Sequence, residues 1–399
     1  MTIVSLQAWD GPDVLECFEA LADRPYTLFF DSNRPSHPLN RWSFICWDPV
    51  EIIETKDSVI KHNHEAIDEK NFFSFLQSRL DAYKPNKSDA GIPFSGGAAG
   101  YLAYDLGRQI ETLPHKTKDD LNLPDACIGI YQNVLAFDLE NRKAYLAGQA
   151  PDLNRKTAHN HPPYNIEFSS DISDEDYLLN INKVIEEIHA GEVYQINISR
   201  RFKAELPKDF NSADHYKYLR QINAAPFSAY MNLGDHQLAS CSPERFLHLK
   251  KNEVETRPIK GTIPSHLPPK TLTESAKDRA ENTMIVDLLR NDLSKVCDFH
   301  SVKVPSLCQL ETFEGLHHLV SIVKGTLLKD KRATDLLKAC FPGGSITGAP
   351  KIRAMEIIEE LEPTCRGPYC GAMGYIDFNG TMDTNIAIRT LIYKNGKVY

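Results

Sequence analysis

Ser242–Thr262 reads SPERFLHLKKNEVETRPIKGT. FLHLK and NEVET are two short strand-forming runs that meet near Lys251-Asn252, which makes the stretch an antiparallel hairpin. If Lys250 faces Glu253, Glu244 falls opposite Ile259 and beside Lys260. A carboxylate and an amine then share the open end of the hairpin. A lysine there, followed by Gly261 that lets a ligand approach the backbone, becomes a nucleophile if desolvation lowers its pKa. Read alone, the same two residues also describe an ordinary surface ion pair.

Working outward, the segment up to about residue 150 alternates strand-like runs with polar turns: TLFF (27–30), FICW (44–47), AAGYLAY (98–104), YQNVLAF (131–137) and KAYLAG (143–148). An Asn-, Pro- and His-rich stretch without periodicity follows. The expected division is an amino-terminal lobe over 1–150, a linker over 151–168 and a second domain over 169–399. Ser173 followed by three acids is a helix N-cap signal. Leu178, Ile181, Ile185 and Ile188 sit at helical spacing, and Gly191 marks the stop. Val193–Phe202 is expected as a strand, with further helices over Ser275–Val296 and Pro350–Leu361. Runs of strands with a few long helices indicate an α+β fold with antiparallel sheets. At the carboxyl end, Leu391–Lys394 is a strand and Asn395-Gly396 a hairpin turn. Lys397–Tyr399 is too short a return strand to pair well, so the sequence reads as cut in mid-hairpin.

Composition narrows the function. The chain has 399 residues, 42% of them hydrophobic and 25% charged, as in a folded protein. Lys plus Arg number 45 against 54 Asp plus Glu, a formal charge of −9, so a general nucleic-acid binder with a basic face is disfavoured. No apolar run spans a bilayer, and the start lacks a basic and then apolar leader. The nine cysteines are scattered without a CxxC pair, which fits free thiols in a reducing, cytoplasmic setting.

Three other stretches carry chemistry. In KDRAENTMIVDLLRND (277–292), Glu281, Ile285, Leu288 and Asp292 fall near one helix face. Carboxylates there are able to hold Mg²⁺, which needs only one or two of them, although spacing alone equally describes a solvated charged face. FPGGSITGAPK (341–351) is a loop feeding a helix, with Ser345 or Thr347 as a cap, and so an anion site or a tight packing loop. It fails the phosphate-loop pattern, because Ala349 stands where the lysine belongs and Lys351 comes two residues late. His317-His318 lacks metal-ligand spacing, and Cys370 lacks a nucleophile context.

Taken in order, Phe94–Tyr101, GEVYQINISRRF (191–202), SPERF, RPIKGT, the 278–292 helix, HHLVS (317–321), FPGGSITGAPK and RGPYCGAMGYIDFNGTMDTNIAIRT (366–390) resemble the chorismate-utilising enzymes. That resemblance implies antiparallel sheets packed as a sandwich with helices outside. It also favours the functional reading of each stretch over the structural one. Within the family, Lys260 stands where anthranilate synthases typically have alanine and aminodeoxychorismate synthases have lysine. Gln195 stands where isochorismate and salicylate synthases use a lysine base, which disfavours water addition.

The resemblance implies roles residue by residue. Lys260 attacks C2 of chorismate, and Glu244 protonates the departing C4 hydroxyl. Glu281 holds Mg²⁺ against one substrate carboxylate, while Arg389 with Tyr369 meets the other. Thr347 and Gly344 line the pocket, and His318 contacts the ring. Ammonia is expected from a separate glutamine amidotransferase, since no glutaminase signature is present. Asp31-Ser32, Arg41, Ser43 and Pro226-Phe227-Ser228 match positions where relatives bind tryptophan. Family members continue into a glycine-rich loop and a second glutamate for Mg²⁺, neither of which is in this sequence. The alternatives are an anthranilate synthase component, or a non-catalytic chain that binds the amidotransferase or tryptophan.

Overall fold

A computed structural model describes residues 6–33, 39–83, 91–153, 164–313 and 315–399. Two large antiparallel sheets dominate it. In spatial order the first runs Leu6–Ala8, Lys143–Ala147, Asn133–Asp138, Trp42–Trp47, Leu28–Asp31, Phe227–Asn232, His236–Ser242, Thr390–Lys394, Lys397–Val398, Phe202–Glu205, Ser169–Ser170. The second runs Ile259–Pro264, Leu316–Thr326, Glu253–Thr256, Arg245–Lys250, Met382–Ile386, Ala372–Asp377, Gly97–Leu102, Ala126–Tyr131, Glu51–Lys56, Val59–His62, Glu65–Ala66. The strand Lys303–Phe313 also pairs with Leu316–Thr326.

The central strands are buried on both faces, which explains their nearly continuous apolar sequences. Along Ala126–Tyr131, Ala126, Ile128 and Ile130 enter one core, while Cys127 and Tyr131 enter another. The core holding Cys127 lies between the sheets and also takes Leu28, Phe44, Met373 and Tyr375. The core holding Ile128 lies under helices Phe72–Asp81, Ala276–Ser294, Ala333–Cys340 and Lys351–Leu361. Helices Val14–Leu21 and Ser212–Ile222 cover the outer face of the first sheet through Phe18, Leu21 and Tyr216. The layers are therefore helices, sheet, sheet, helices, the expected sandwich.

Four expectations change. The stretches 1–150 and 169–399 do not form side-by-side units. Leu28–Asp31 pairs with Phe227–Asn232, and Gly97–Leu102 pairs with Ala372–Asp377, so both stretches build both sheets. Most of the linker, residues 154–163, lies outside the described residues. Val193–Phe202 is not one strand: Gln195 and Ile196 pair with Ala349 and Gly348, and Phe202 begins a separate strand that pairs with Ser170. The helix Asp174–His189 forms with its Ser173 cap, but its apolar stripe does not enter a core: Leu178 is 60% and Ile185 43% exposed, and only Val184 is buried. Finally, Lys397–Val398 does pair, on both sides, with Tyr393-Lys394 and with Ala204-Glu205.

Candidate active site

The register read from sequence holds: Lys250 faces Glu253, and His248 faces Glu255. Past Thr256 the chain leaves this partner, and Ile259–Pro264 pairs instead with Leu316–Thr326. That pairing is broken between Ile259 and Thr262, which leaves Lys260 and Gly261 in a bulge. A bulge re-aims a side chain relative to the regular pleat. Gly261 makes it possible: its φ is +83°, and an added Cβ would lie 2.9 Å from Leu272 and 3.0 Å from Asp278.

Glu244 comes to the same corner. The residue is 5% exposed, and its carboxyl accepts hydrogen bonds from Ser345 and from the N–H of Ile259. Burial pushes its pKa up to about 7, partly opposed by the Ser345 hydrogen bond and the charge of Lys260. Burial pushes the Lys260 amine below its ordinary value, against the pull of Glu244, Glu281 and Cys370. Burial thus drives both groups toward their uncharged forms. Such a pair is able to join a nucleophile to an acceptor and protonate what leaves.

The loop Phe341–Lys351 closes the site. The Lys351 Nζ donates to Asp292 Oδ2 at 2.5 Å and to the carbonyls of Cys340 and Pro342, both at 2.8 Å. It is a clamp for the loop, which accounts for its departure from the phosphate-loop pattern. Asp292 is committed to it and to Lys295 through two ion pairs. Neither Ser345 nor Thr347 caps the following helix, whose N-cap Pro350 has no side-chain hydrogen bond. The buried Thr347 hydroxyl instead donates to the carbonyls of Gly343 and Gly344 at 3.0 and 3.3 Å. Gly348 lies against Gln195, where a Cβ would sit 2.1 Å from the Gln195 carbonyl oxygen.

The remaining candidates divide. Buried His318 pairs with Thr262 across the strands and shares a 2.8 Å hydrogen bond with its hydroxyl, one residue from the bulge. Glu281 projects its charge on Lys260 from the helix Ala276–Ser294, with its side chain 33% exposed and Lys277 at 3.9 Å. Tyr369 is partly buried, and the adjacent Cys370 together with burial holds its hydroxyl protonated well above the ordinary phenol range. Arg389 has no hydrogen bond or ion pair with the other candidates among the described residues. At φ +51° on the surface, it donates to Asn223 at 3.3 Å and makes no ion pair with Glu244 or Glu281.

Sequence reasoning passed over Asn197 and Arg366, although both lie inside the quoted motifs. Asn197 is the hydrogen-bond acceptor for Lys260 Nζ, at 3.3 Å. Arg366 is buried, forks onto Glu362 at 2.6 and 2.9 Å, and stacks over Tyr104 with its guanidinium carbon 4.5 Å from the ring centre. The two-residue spacing of Gln195 and Asn197 was the available signal, since it puts both on one side of an extended chain.

A separate cavity of about 460 Å³ opens between the sheets. Its lining includes Asp31, Ser32, Arg41, Pro226 and Phe227, all from the stretches matched to tryptophan binding. Ser43 is not in the lining; its hydroxyl accepts the N–H of Ser32.

The pattern of the chorismate binding enzyme family matches residues 25–399. The chain is 39% identical to aminodeoxychorismate synthase component 1 of Escherichia coli K12, covering 96% of this chain and 88% of that one. It is 36% identical to anthranilate synthase component 1 of Acetivibrio thermocellus, covering 90% and 81%. Among solved structures, anthranilate synthase component I of Streptococcus pneumoniae TIGR4 superposes with a TM-score of 0.81 at 31% identity, covering 91% of this chain and 86% of that one.

Proposed function

The chain belongs to the chorismate binding enzymes, and on that premise we propose that it is the chorismate-converting component of an aminodeoxychorismate synthase. The observation that carries this reading is the bulged Lys260 beside the buried carboxyl of Glu244. The substrate is chorismate, and the product is 4-amino-4-deoxychorismate.

In the first step the Lys260 nitrogen bonds to C2 of the ring. The two ring double bonds shift, and the C4–oxygen bond breaks. Glu244 gives its proton to the departing hydroxyl, which leaves as water rather than hydroxide. The carboxylate so formed takes the excess proton from the alkylated amine. Ammonia then bonds to C4, the double bonds shift back, and Lys260 departs from C2 with the proton that Glu244 returns. We assign the buried Thr347 and Gly344 to the wall of the pocket and His318 to contact with the ring.

Glu281 is the carboxylate suited to Mg²⁺. Among the described residues no group of three or more His, Cys, Asp or Glu is arranged to hold a metal. A single carboxylate nevertheless fits a hard ion that keeps water ligands and takes oxygen from its substrate. When bound, Mg²⁺ would neutralise a carboxylate of chorismate.

The word component in the relatives' names fits a second chain as partner, and we assign it the role of a glutamine amidotransferase supplying ammonia. The cavity bearing Ser32 and Phe227 is of a size for tryptophan, and a calorimetric titration that shows no heat with L-tryptophan would remove that assignment. No helix among the described residues is long and apolar enough to cross a membrane.

The test is to incubate the full chain with chorismate, Mg²⁺ and ammonium and separate the products. Aminodeoxychorismate is expected, and glutamine is expected to replace ammonium only when the amidotransferase is added. Anthranilate with pyruvate, or isochorismate, would reject the proposal. Lys260→Ala is expected to abolish a covalent adduct seen by intact mass; an unchanged rate would remove the nucleophile from the mechanism.

A further inference from the structure

Asn197 is held from three directions. Its N–H donates to the Thr347 carbonyl at 2.8 Å. Its carbonyl accepts from Arg366 Nη2 at 2.6 Å. Its side-chain Nδ2 donates to the carbonyls of Ser345 and Thr347 at 3.1 and 3.3 Å. Carbonyl oxygens only accept, so these two contacts fix which end of the amide is nitrogen. The oxygen, Oδ1, must then face Lys260, and the amine donates to it at 3.3 Å. Arg366 is itself immobilised by Glu362, which also accepts from the N–H and hydroxyl of Ser199. The acceptor beside Lys260 is therefore built on a buried ion pair rather than on a free surface side chain.

We propose that Asn197 is the positioning residue for Lys260: its fixed amide oxygen takes one N–H of the uncharged amine and aims the nitrogen lone pair away from Asn197, toward the ring carbon. The inference rests on Lys260 being the nucleophile. A neutral acceptor is required. The groups bearing on the amine already include the carboxyls of Glu244 and Glu281 and the thiol of Cys370. A further full negative charge in hydrogen-bond contact would keep the amine protonated and its lone pair occupied. No proton moves to Asn197. Of the two hydrogens on the attacking amine, one stays on this hydrogen bond, and the other passes to the Glu244 carboxylate left when the hydroxyl departs as water.

The experiment compares the full chain with Asn197→Ala, Asn197→Asp and Lys260→Ala, measuring kcat, KM and the accumulation of the adduct by intact mass with chorismate and Mg²⁺ and no ammonia. Asn197→Ala is expected to lower kcat and the adduct rate by roughly 100-fold, the scale of a misplaced reacting group, with KM within about threefold. Asn197→Asp keeps an oxygen at the same place but adds charge. Its rate is expected to be low near neutral pH, with the acidic limb of the profile, which reports the amine, moved at least about one pH unit to the alkaline side toward the limb set by Glu244. A kcat for Asn197→Ala within about threefold of the parent overturns the proposal, as does an unmoved profile for Asn197→Asp. If the aspartate variant fails to fold, the division between kcat and KM in the alanine variant decides alone. Lys260→Ala separates the two claims: if it keeps the parent rate, the nucleophile is wrong, whereas an inactive Lys260→Ala with a fully active Asn197→Ala rejects only the role of Asn197.

Discussion

The carboxyl of Glu244 accepts a hydrogen bond from the N–H of Ile259, so the short connection between the strands His236–Ser242 and Arg245–Lys250 is tied to the start of the strand Ile259–Pro264, where Lys260 emerges. The tie fixes an acid and an amine on one corner of the second sheet. Burial at that corner disfavours the charged form of each.

Glu244 is therefore uncharged below about pH 7, whereas its ordinary value is 4.5. The folded chain binds this proton more tightly than the unfolded one. The stability contributed here is fully present below about pH 4.5 and is lost as the pH rises through about 7. A rise of this size is worth about 3 kcal/mol at most. Glu244→Gln keeps a hydrogen-bonding side chain without the charge. Its melting temperature is expected to fall less than that of the parent between pH 5 and pH 8. Its kcat is expected to drop roughly 100- to 10,000-fold and to lose the decline on the alkaline side. A calorimetric scan and a pH–rate profile check both, and a parallel fall in the two melting curves would contradict the buried acid.

Gly261→Ala tests the bulge. The added methyl meets Leu272 and Asp278 at a φ of +83°, where a residue with a Cβ is strained by about 1–2 kcal/mol. Relief requires the bulge to rotate, and Lys260 moves with it. We expect a folded protein with a melting temperature a few degrees lower and a kcat reduced roughly 10- to 100-fold. Parent kinetics in a folded variant would show that the bulge does not aim the amine.

The hairpin was legible because its register follows from a two-residue turn and short strands, and that register is enough to bring Glu244 beside Lys260. The bulge was not legible, because it depends on the pairing of Ile259 with Val320, some sixty residues on in sequence. The same limit hides the mixing of the amino- and carboxyl-terminal strands: alternation shows that Gly97–Leu102 and Ala372–Asp377 are strands but not that they are neighbours. Val193–Phe202 misled because Val193 and Ile196 pack against the helix Lys351–Leu361 at Ala354 and Ile357, while the backbone there pairs over Gln195 and Ile196 only before a new strand starts at Phe202. The stripe Leu178, Ile185 and Ile188 misled in the opposite sense, since periodicity predicts a helix without saying what covers it. Arg389 was assigned by its motif; its exposed side chain and its hydrogen bond to Asn223 were not legible there, because Asn223 is far off in sequence.

Glu281→Gln addresses the metal. The variant keeps the shape of the side chain and removes the charge, so the Mg²⁺ concentration giving half-maximal rate is expected to rise more than about tenfold, in the range seen when metal-site partners are lost. Lys260 also loses one of the charges that favour its protonated form, so no loss of amine reactivity is expected. Titrating Mg²⁺ in the turnover assay checks this, and an unchanged half-maximal concentration would move the ion elsewhere.

Lys351 offers the sharpest division between loop architecture and ligand binding. Its amine lies 2.5 Å from Asp292 Oδ2 and also satisfies the carbonyls of Cys340 and Pro342. Asp292 is 2% exposed at its side chain and keeps only the partly exposed Lys295 when Lys351 is removed. Breaking a buried pair from one side strands a charge and typically costs about 3–5 kcal/mol. Lys351→Met is expected to lose that much in urea denaturation, while Lys351→Met with Asp292→Asn loses less, because the stranded charge is gone. With Asp292→Asn alone measured as well, the double variant's loss minus the two single losses gives the coupling. If the amine served a bound phosphate instead, the single variant would melt like the parent and lose only ligand affinity; a melting temperature within a degree of the parent would therefore refute the clamp.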